Sequence, residues 1–308
     1  MDHDAHRRAE TLDLRRVEEY LHSHGYSNIS LEQRWRHVTG RVSKHGVSFF
    51  FKLASSPGVA SKTRNEFIWN QVVGKHLASS PIAIPKSYEC GTYNDLFWFT
   101  SEYIDGRPIV EANARSDAPK LRGYFDDIVE TLSQILKVDE TMMLPNDEAK
   151  PQNRHEATFQ FLDKIKHWMA QSSVENEQLF RFIQKNMQYA QIAPSHGDFT
   201  PWHILETNDA RLFLIDGEHG SMRGFKFYDV AYFYHRIFTG LESPDVAEEF
   251  LTSFHKKFIM TEDDKKCFRL ILGQRVIGGY LDAENNRQAF RIHDILRAKV
   301  LDNDLFYA

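Results

Sequence analysis

The 308 residues are 42% hydrophobic, 13% aromatic and 26% charged, enough for a packed core in about two domain-sized units and too apolar for a disordered chain. Lys and Arg number 38 against 43 Asp and Glu, and the resulting formal charge of -5 lacks the basic excess of a protein built to neutralise a nucleic-acid backbone. Two cysteines 177 positions apart, without CxxC or zinc-ligand spacing, point to a reducing, cytoplasmic compartment; the polar first ten residues are no signal peptide, and no apolar run approaches the ~20 residues of a membrane span.

Ala5 to His24 has the spacing of an amphipathic helix, with Leu12, Val17 and Leu21 mostly on one face and Gly25 as its stop. From about Ile29 to Tyr103 the pattern changes to short β-like runs: Gln33 to Lys44, Val47 to Leu53, Lys86 to Cys90, and Leu96 to Ile104. One helix, Ala60 to Ala78, interrupts them. Past Asp105-Gly106 the strands nearly vanish, and helical spacing follows at Ala118 to Val138, Arg154 to Gln171 and Val174 to Gln191. A Pro/Gly/His/Asp-rich break, Ala193 to Ile215, contains a short strand at Leu212 to Ile215, and helices resume from Phe225. Strands first and helices afterwards predict an α+β chain of two lobes, residues 1–104 and 105–308.

The break carries the chemistry. Ser195-His196-Gly197-Asp198-Phe199-Thr200-Pro201-Trp202-His203 is followed by Leu214-Ile215-Asp216-Gly217-Glu218, and the 18 positions that separate Asp198 from Asp216 leave room for a loop, a short strand and its return, so both carboxylates can face one cleft. Here the sequence resembles the aminoglycoside phosphotransferase and choline kinase group of small-molecule kinases, whose catalytic loop reads approximately HGDxxPxN and whose metal segment reads IDxE. The resemblance implies a bilobal protein kinase-like fold, an antiparallel N-terminal sheet with one main helix before a mostly helical C-terminal lobe.

Phosphoryl transfer to an alcohol needs one carboxylate to orient the hydroxyl and take its proton, and others to hold a divalent cation on the nucleotide's phosphates. The resemblance implies Asp198 in the first role, with His196 orienting the loop, and Asp216 in the second. It also implies ATP or GTP as co-substrate and Mg²⁺ as the ion. The kinase template has a metal-binding Asn five residues after the catalytic Asp, where this chain has His203. Three outcomes stay open: Glu218 or water replaces the amide oxygen, His203 ligates a metal such as Mn²⁺, or the second metal site is lost and activity is weak or absent.

Further matches lie in family order. Lys52 is a lone lysine in the apolar strand Phe49 to Leu53, on the face opposite Phe51 and Leu53, and Glu66 follows on the one helix of that lobe. The template pairs these two to set the phosphates. Phe97 to Pro108 looks like the hinge, with backbone groups at Glu102 and Ile104 facing the purine edge. Tyr228-Asp229-Val230-Ala231 resembles the segment whose Asp caps a helix and braces the catalytic loop. The phosphate-covering loop matches least: Arg34 to Val42 holds only Gly40, leaving Thr39, Gly40 and Arg41 to offer backbone groups.

A metal-hydrolase reading of His196, His203, His219 and His235 leaves Lys52, Glu66 and the hinge unexplained, and no HExxH occurs. Protein phosphorylation is disfavoured because only twelve residues separate Asp216 from Asp229, too few for a peptide-docking segment. The expected acceptor is therefore a hydroxyl of a small molecule, aminoglycoside, amino alcohol or sugar-like, with neither nucleic acid nor membrane as partner. The alternative is a catalytically weak or inactive kinase-like binding protein. Asp282, Glu284, Asp302 and Asp304 offer charge for a cationic ligand, but Arg275, Arg287 and Arg291 among them read as a solvated mixed-charge surface.

Overall fold

The Asp13 carboxylate accepts from the Arg15 N–H at 3.0 Å and starts the first helix, α1 (Leu14–Ser23), which buries Val17 and Leu21 four residues apart on one face. In this computed structural model residues 8–139, 141–148, 154–283 and 286–305 are described. Residues 5–7 of the expected helix lie outside them, and 8–13 are not helical, so the Asp13 cap overrides the apolar spacing that reached back to Leu12.

Three strands follow, β1 (Ser27–Arg34), β2 (His37–Lys44) and β3 (Val47–Ala54), then α2 (Pro57–His76), β4 (Ile82–Ala83), β5 (Ser87–Tyr93) and β6 (Leu96–Glu102). All but β4 form one antiparallel sheet in the order β1-β2-β3-β6-β5. The run expected from Gln33 to Lys44 in fact crosses a tight turn at Trp35-Arg36, where Trp35 takes φ 47. β1 escaped the sequence pattern because its residues alternate between exposed and only half-buried, leaving almost no apolar signal. Gly40 is not in that turn. It pairs with Leu31 and Phe51 inside the sheet, and a Cβ there would lie 2.0 Å from the Ser30 carbonyl oxygen, so close strand approach explains the glycine. Arg41 stacks on Tyr103 and its side chain bonds Ser48 at 2.9 Å.

Beyond β6 come β7 (Gly106–Pro108), a 3₁₀ stretch (Arg115–Tyr124), α3 (Phe125–Ile135), α4 (Pro145–Glu148), α5 (Arg154–Gln171) and α6 (Glu177–Asn186). The expected helix from Ala118 is thus 3₁₀ in its first part, where Pro119 removes a backbone donor. Then β8 (Ile192–Ser195), β9 (Ile204–Thr207), β10 (Leu212–Leu214) and β11 (Ser221–Phe225) make two small sheets, β4-β10-β9-β7 and β11-β8. The chain closes with α7 (Tyr228–His235), a π-helical turn (Arg236–Gly240), α8 (Pro244–Lys257), α9 (Glu262–Asp282) and α10 (Arg287–Asp302).

Two apolar clusters result. Val17, Leu21, Val38, Val42, Phe51 and Leu53 fill the space between α1 and the sheet. The larger core gathers the C-terminal helices around α9 and also takes Trp69 and Val73 of α2 and Leu77 just after it. α2 therefore belongs to both halves of the molecule: its residues pack on β6 on one side and on the Asp216–Gly220 loop on the other. Among the described residues no helix is long and apolar enough to cross a membrane, and neither Cys90 nor Cys267 is in a disulfide.

Candidate active site

β8 delivers the chain into His196-Gly197-Asp198. Gly197 takes φ 82 with its Cα against the His219 carbonyl, where a Cβ would approach to 2.5 Å, so only glycine fits. The Asp229 carboxylate at the start of α7 accepts the His196 and Gly197 N–H groups at 2.7 and 2.8 Å and pins the turn from behind. Burial pushes Asp229 up to about 7, with those two backbone donors opposing. The His196 ring is fully buried, edge-on to Trp69 and Phe199. Burial first, and then the neighbouring His203, push it down to about 3, so it is a neutral brace, with Nδ1 accepting from the Asp198 N–H at 3.4 Å.

A 3₁₀ turn, Pro201–His203, folds His203 back over Asp198. Nδ1 of His203 lies 2.8 Å from the Asp198 backbone carbonyl and 3.7 Å from Asp198 Oδ2, while Nε2 lies 3.8 Å from Asp216 Oδ2. One ligand atom from each of Asp198, His203 and Asp216 falls within 4.8 Å of the others. Burial raises the pKa of Asp198; His203, Arg236 and a hydrogen bond from the Tyr232 hydroxyl pull the other way, and Asp216 adds to the rise.

Asp216 sits just past β10 with φ 65, a left-handed conformation that a non-glycine residue adopts only under local constraint. Its Oδ1 meets Lys52 Nζ at 2.8 Å, and Nζ also reaches Glu66 Oε2 at 2.5 Å and Glu218 Oε2 at 3.6 Å. Lys52 is 6% exposed, on the face of β3 that looks toward α2. Burial disfavours its charge, but three carboxylates outweigh burial and hold it well above the usual lysine range. Burial likewise works against the charge on Asp216, and the Lys52 ammonium overcomes it and keeps that carboxyl well below its usual range. Glu66 moves the other way, to about 7, because burial and two neighbouring carboxylates exceed what Lys52 returns.

Glu218 joins Asp216 in a second group: one carboxylate oxygen from each of Glu66, Asp216 and Glu218 falls within 4.8 Å of the others. Glu218 is 1% exposed and turned toward the sheet, bonded to the Arg36 guanidinium from the β1–β2 turn and 3.5 Å from His37 Nε2. It stands with Lys52 and Arg36, not with His203. Two asparagines hold its loop: Asn65 of α2 and Asn146 of α4 both donate to the Glu218 and Gly220 carbonyls at 2.9 to 3.3 Å. At the hinge, the Glu102 N–H donates to the Lys86 carbonyl at 2.8 Å, and Ile104 follows in irregular backbone.

Residues 23–265 match the model of the phosphotransferase enzyme family. The chain belongs to that family. No curated protein matches it by sequence. Solved structures show the same bilobal, protein kinase-like fold at low identity. A thermostable mutant of aminoglycoside phosphotransferase APH(4)-Ia, in ternary complex with ADP and hygromycin B, aligns with a TM-score of 0.60 at 13% identity over 93% of this chain and 97% of its own. Choline kinase LicA from Streptococcus pneumoniae aligns at 0.55 with 15% identity, over 94% and 97% of the two chains. An ethanolamine kinase from Plasmodium vivax aligns at 0.53 with 11% identity, over 89% and 81%.

The phosphotransferase also has site neighbours that sequence reasoning missed. Tyr232, Arg236 and Arg275 gather beside Asp198: Arg236 Nη2 donates to the Tyr232 hydroxyl at 2.7 Å, and Arg275 lies over the Tyr232 ring with Cζ 4.1 Å from its centroid. Arg275 is 7% exposed, so it does not belong to a solvated surface. The signal was present: an arginine inside the apolar run Leu270 to Tyr280, the same kind of anomaly that singles out Lys52. Asp282 pairs with Arg236 at 3.6 Å, Asp304 pairs with Lys299 at 3.2 Å, and Glu284 lies outside the described residues.

Proposed function

We propose that the chain moves the γ-phosphoryl group of ATP or GTP to a hydroxyl of a small molecule, in the cleft between residues 1–104 and 105–308. The observation that carries this reading is the single chain of contacts Glu66–Lys52–Asp216–His203–Asp198, which joins the sheet, α2 and both catalytic loops. ADP and hygromycin B in one relative, and the names choline kinase and ethanolamine kinase of two others, support a nucleotide and a small acceptor.

In this reading Lys52, kept charged and fixed by Glu66, faces the nucleotide's phosphates. The Glu102 carbonyl and the Ile104 N–H face the purine edge. Asp216 and the Nε2 of His203, with Asp198 nearby, fit a divalent cation, since they converge within 4.8 Å and offer oxygen and neutral imidazole donors. Such an ion, Mg²⁺ or Mn²⁺, supplies neutralisation of phosphate charge. Glu218, whose carboxylate oxygen lies within 4.8 Å of those of Asp216 and Glu66, offers a further oxygen donor on the Lys52 side of Asp216 and also positions Arg36 and Lys52. Asp198 receives the acceptor's proton, and burial that raises its pKa makes it a better base than an exposed carboxylate. Catalysis then rests on positioning and charge, as phosphoryl transfer requires.

Asp198→Ala tests the assignment. It should lower transfer by roughly 10²–10⁴-fold, the usual weight of a general base, while nucleotide affinity measured by calorimetry stays within about twofold. Transfer at the wild-type rate in that variant would overturn the mechanism, and absence of nucleotide binding in the wild type would overturn the activity.

A further inference from the structure

Helix α9 is buried without a break from Leu270 to Tyr280, a place for apolar side chains, yet it carries the Arg275 guanidinium. Among the described residues Arg275 forms no ion pair. Nη1 is 3.3 Å from the Tyr228 hydroxyl, the group stacks on Tyr232, and Nε has no hydrogen-bond partner. A second guanidinium, Arg236, meets the same tyrosine through its hydroxyl, lies over the Trp202 ring with Cζ 5.8 Å from the centroid, and also has an unpartnered Nε. Among the described residues its one carboxylate contact is the half-exposed Asp282, at 3.6 Å. The Tyr232 hydroxyl bonds Asp198, and Asp198 feels the charge of Arg236, so both cations stand within one tyrosine of the catalytic carboxylate.

Burying a guanidinium without a carboxylate in direct contact is strongly disfavoured, and an anionic ligand would offset that cost. The aromatic neighbours provide faces for stacking but no negative charge. The planar fork of arginine matches a carboxylate or a phosphate through paired N–H donors. A cationic acceptor, by contrast, would add a third positive charge to the pocket, where Asp282 is already engaged by Arg236 and Asp198 by the Tyr232 hydroxyl.

We propose that the acceptor is a small hydroxyl compound bearing an anionic group, carboxylate or phosphate, which docks on Arg236 and Arg275 beside Tyr232 with its hydroxyl at Asp198. This rests on the phosphotransferase reading above and narrows its acceptor.

The test is a phosphoryl-transfer screen with ATP and GTP in four arms: hydroxycarboxylates such as glycerate and malate, sugar phosphates such as glucose 6-phosphate, neutral polyols, and cations such as choline and kanamycin. Thermal stabilisation by each compound is recorded in parallel. Transfer or stabilisation should favour one of the two anionic arms by at least about tenfold over neutral and cationic compounds, and which arm responds separates carboxylate from phosphate. In Arg275→Gln the acceptor KM should rise about tenfold or more while the nucleotide KM is unchanged. The melting temperature should not fall, because the substitution removes an unpaired buried charge; a merely structural arginine would lower it. Equal or better transfer to neutral or cationic compounds, or neither transfer nor stabilisation in both anionic arms, overturns the proposal. Failure of the wild type to bind either nucleotide overturns the parent reading instead.

Discussion

A carbonyl oxygen accepts and never donates, and at His203 this decides which ring nitrogen is available. Nδ1 donates to the Asp198 carbonyl at 2.8 Å, which leaves Nε2, facing Asp216 Oδ2 at 3.8 Å, as the ring nitrogen open to a metal. That is the arrangement of a metal-ligating histidine, one nitrogen fixed by a backbone acceptor and the other turned to the ion. Imidazole favours Mn²⁺ over Mg²⁺ relative to an amide oxygen. The ratio of rates in Mn²⁺ and Mg²⁺ should therefore be about tenfold higher in the wild type than in His203→Asn, and Mn²⁺ binding followed by electron paramagnetic resonance should weaken in the variant. Equal ratios and equal Mn²⁺ affinity would remove His203 from the ligand set. Lys52 carries a different prediction. Lys52→Met leaves Glu66, Asp216 and Glu218 facing one another with no ammonium between them, which should destabilise the fold by about 3–5 kcal/mol in urea unfolding at pH 7. The orphaned carboxyls would then titrate above their unfolded values, a penalty present at neutral pH and relieved as pH falls toward those values, so the deficit should shrink toward pH 5. A pH-independent deficit would mean that lost packing, not charge, accounts for it.

At the scale of elements, α2 is the part that makes the site one object. Trp69 lies flat against the loop after Asp216, and a Cβ on Gly217 or Gly220 would fall 2.3 or 2.4 Å from its ring. Gly220→Ala should therefore push the indole, and α2 with it, off the loop at about 1–3 kcal/mol. Trp69→Leu vacates that space, so the double variant should recover about 1 kcal/mol relative to the sum of the singles; strict additivity in thermal or urea unfolding would show that ring and loop are not coupled. This packing also explains what was legible in the sequence. Lys52, Glu66, Asp198 and Asp216 were found because each breaks a local pattern or falls in an ordered motif. Arg36 was not, since it stands in a two-residue turn hidden inside an apparently continuous strand run, and its role comes only from the 182 positions of chain that bring Glu218 beneath it. β7, β8, β9 and β11 span three to five residues each, too short to show a period. The α5 bounds, Arg154–Gln171, coincide with the expected ones because eighteen residues span several helical turns, long enough for a period to show.

For the molecule as a whole, buried titratable groups pull its stability against pH in opposite directions. His37 and His196 are pushed down to about 2 and about 3. His235 is fully buried, neither ring nitrogen has a partner, and burial first, then His293, Arg275 and Arg236, hold it well below its usual range. These rings are neutral in the fold but bind a proton once unfolded below about pH 6.5, so each removes stability as pH falls. Glu66 and Asp229, raised to about 7 chiefly by burial, are protonated in the fold where the unfolded chain has released the proton, so each removes stability as pH rises from about 4 toward 7. The sum flattens the profile and hides the individual groups, which a single replacement then separates. His235→Leu keeps a similar volume in a pocket so close that a Cβ on Gly279 would lie 2.7 Å from His235 Nε2. Near pH 7.5 the two proteins should differ little, and between there and pH 5 the wild type should lose about 2 kcal/mol relative to the variant, at about 1.4 kcal/mol per unit below the unfolded pKa. Urea unfolding at a series of pH values reads this directly. A difference that stays constant across the series would mean that His235 binds its proton equally in the folded and unfolded chains and is not held neutral by its burial.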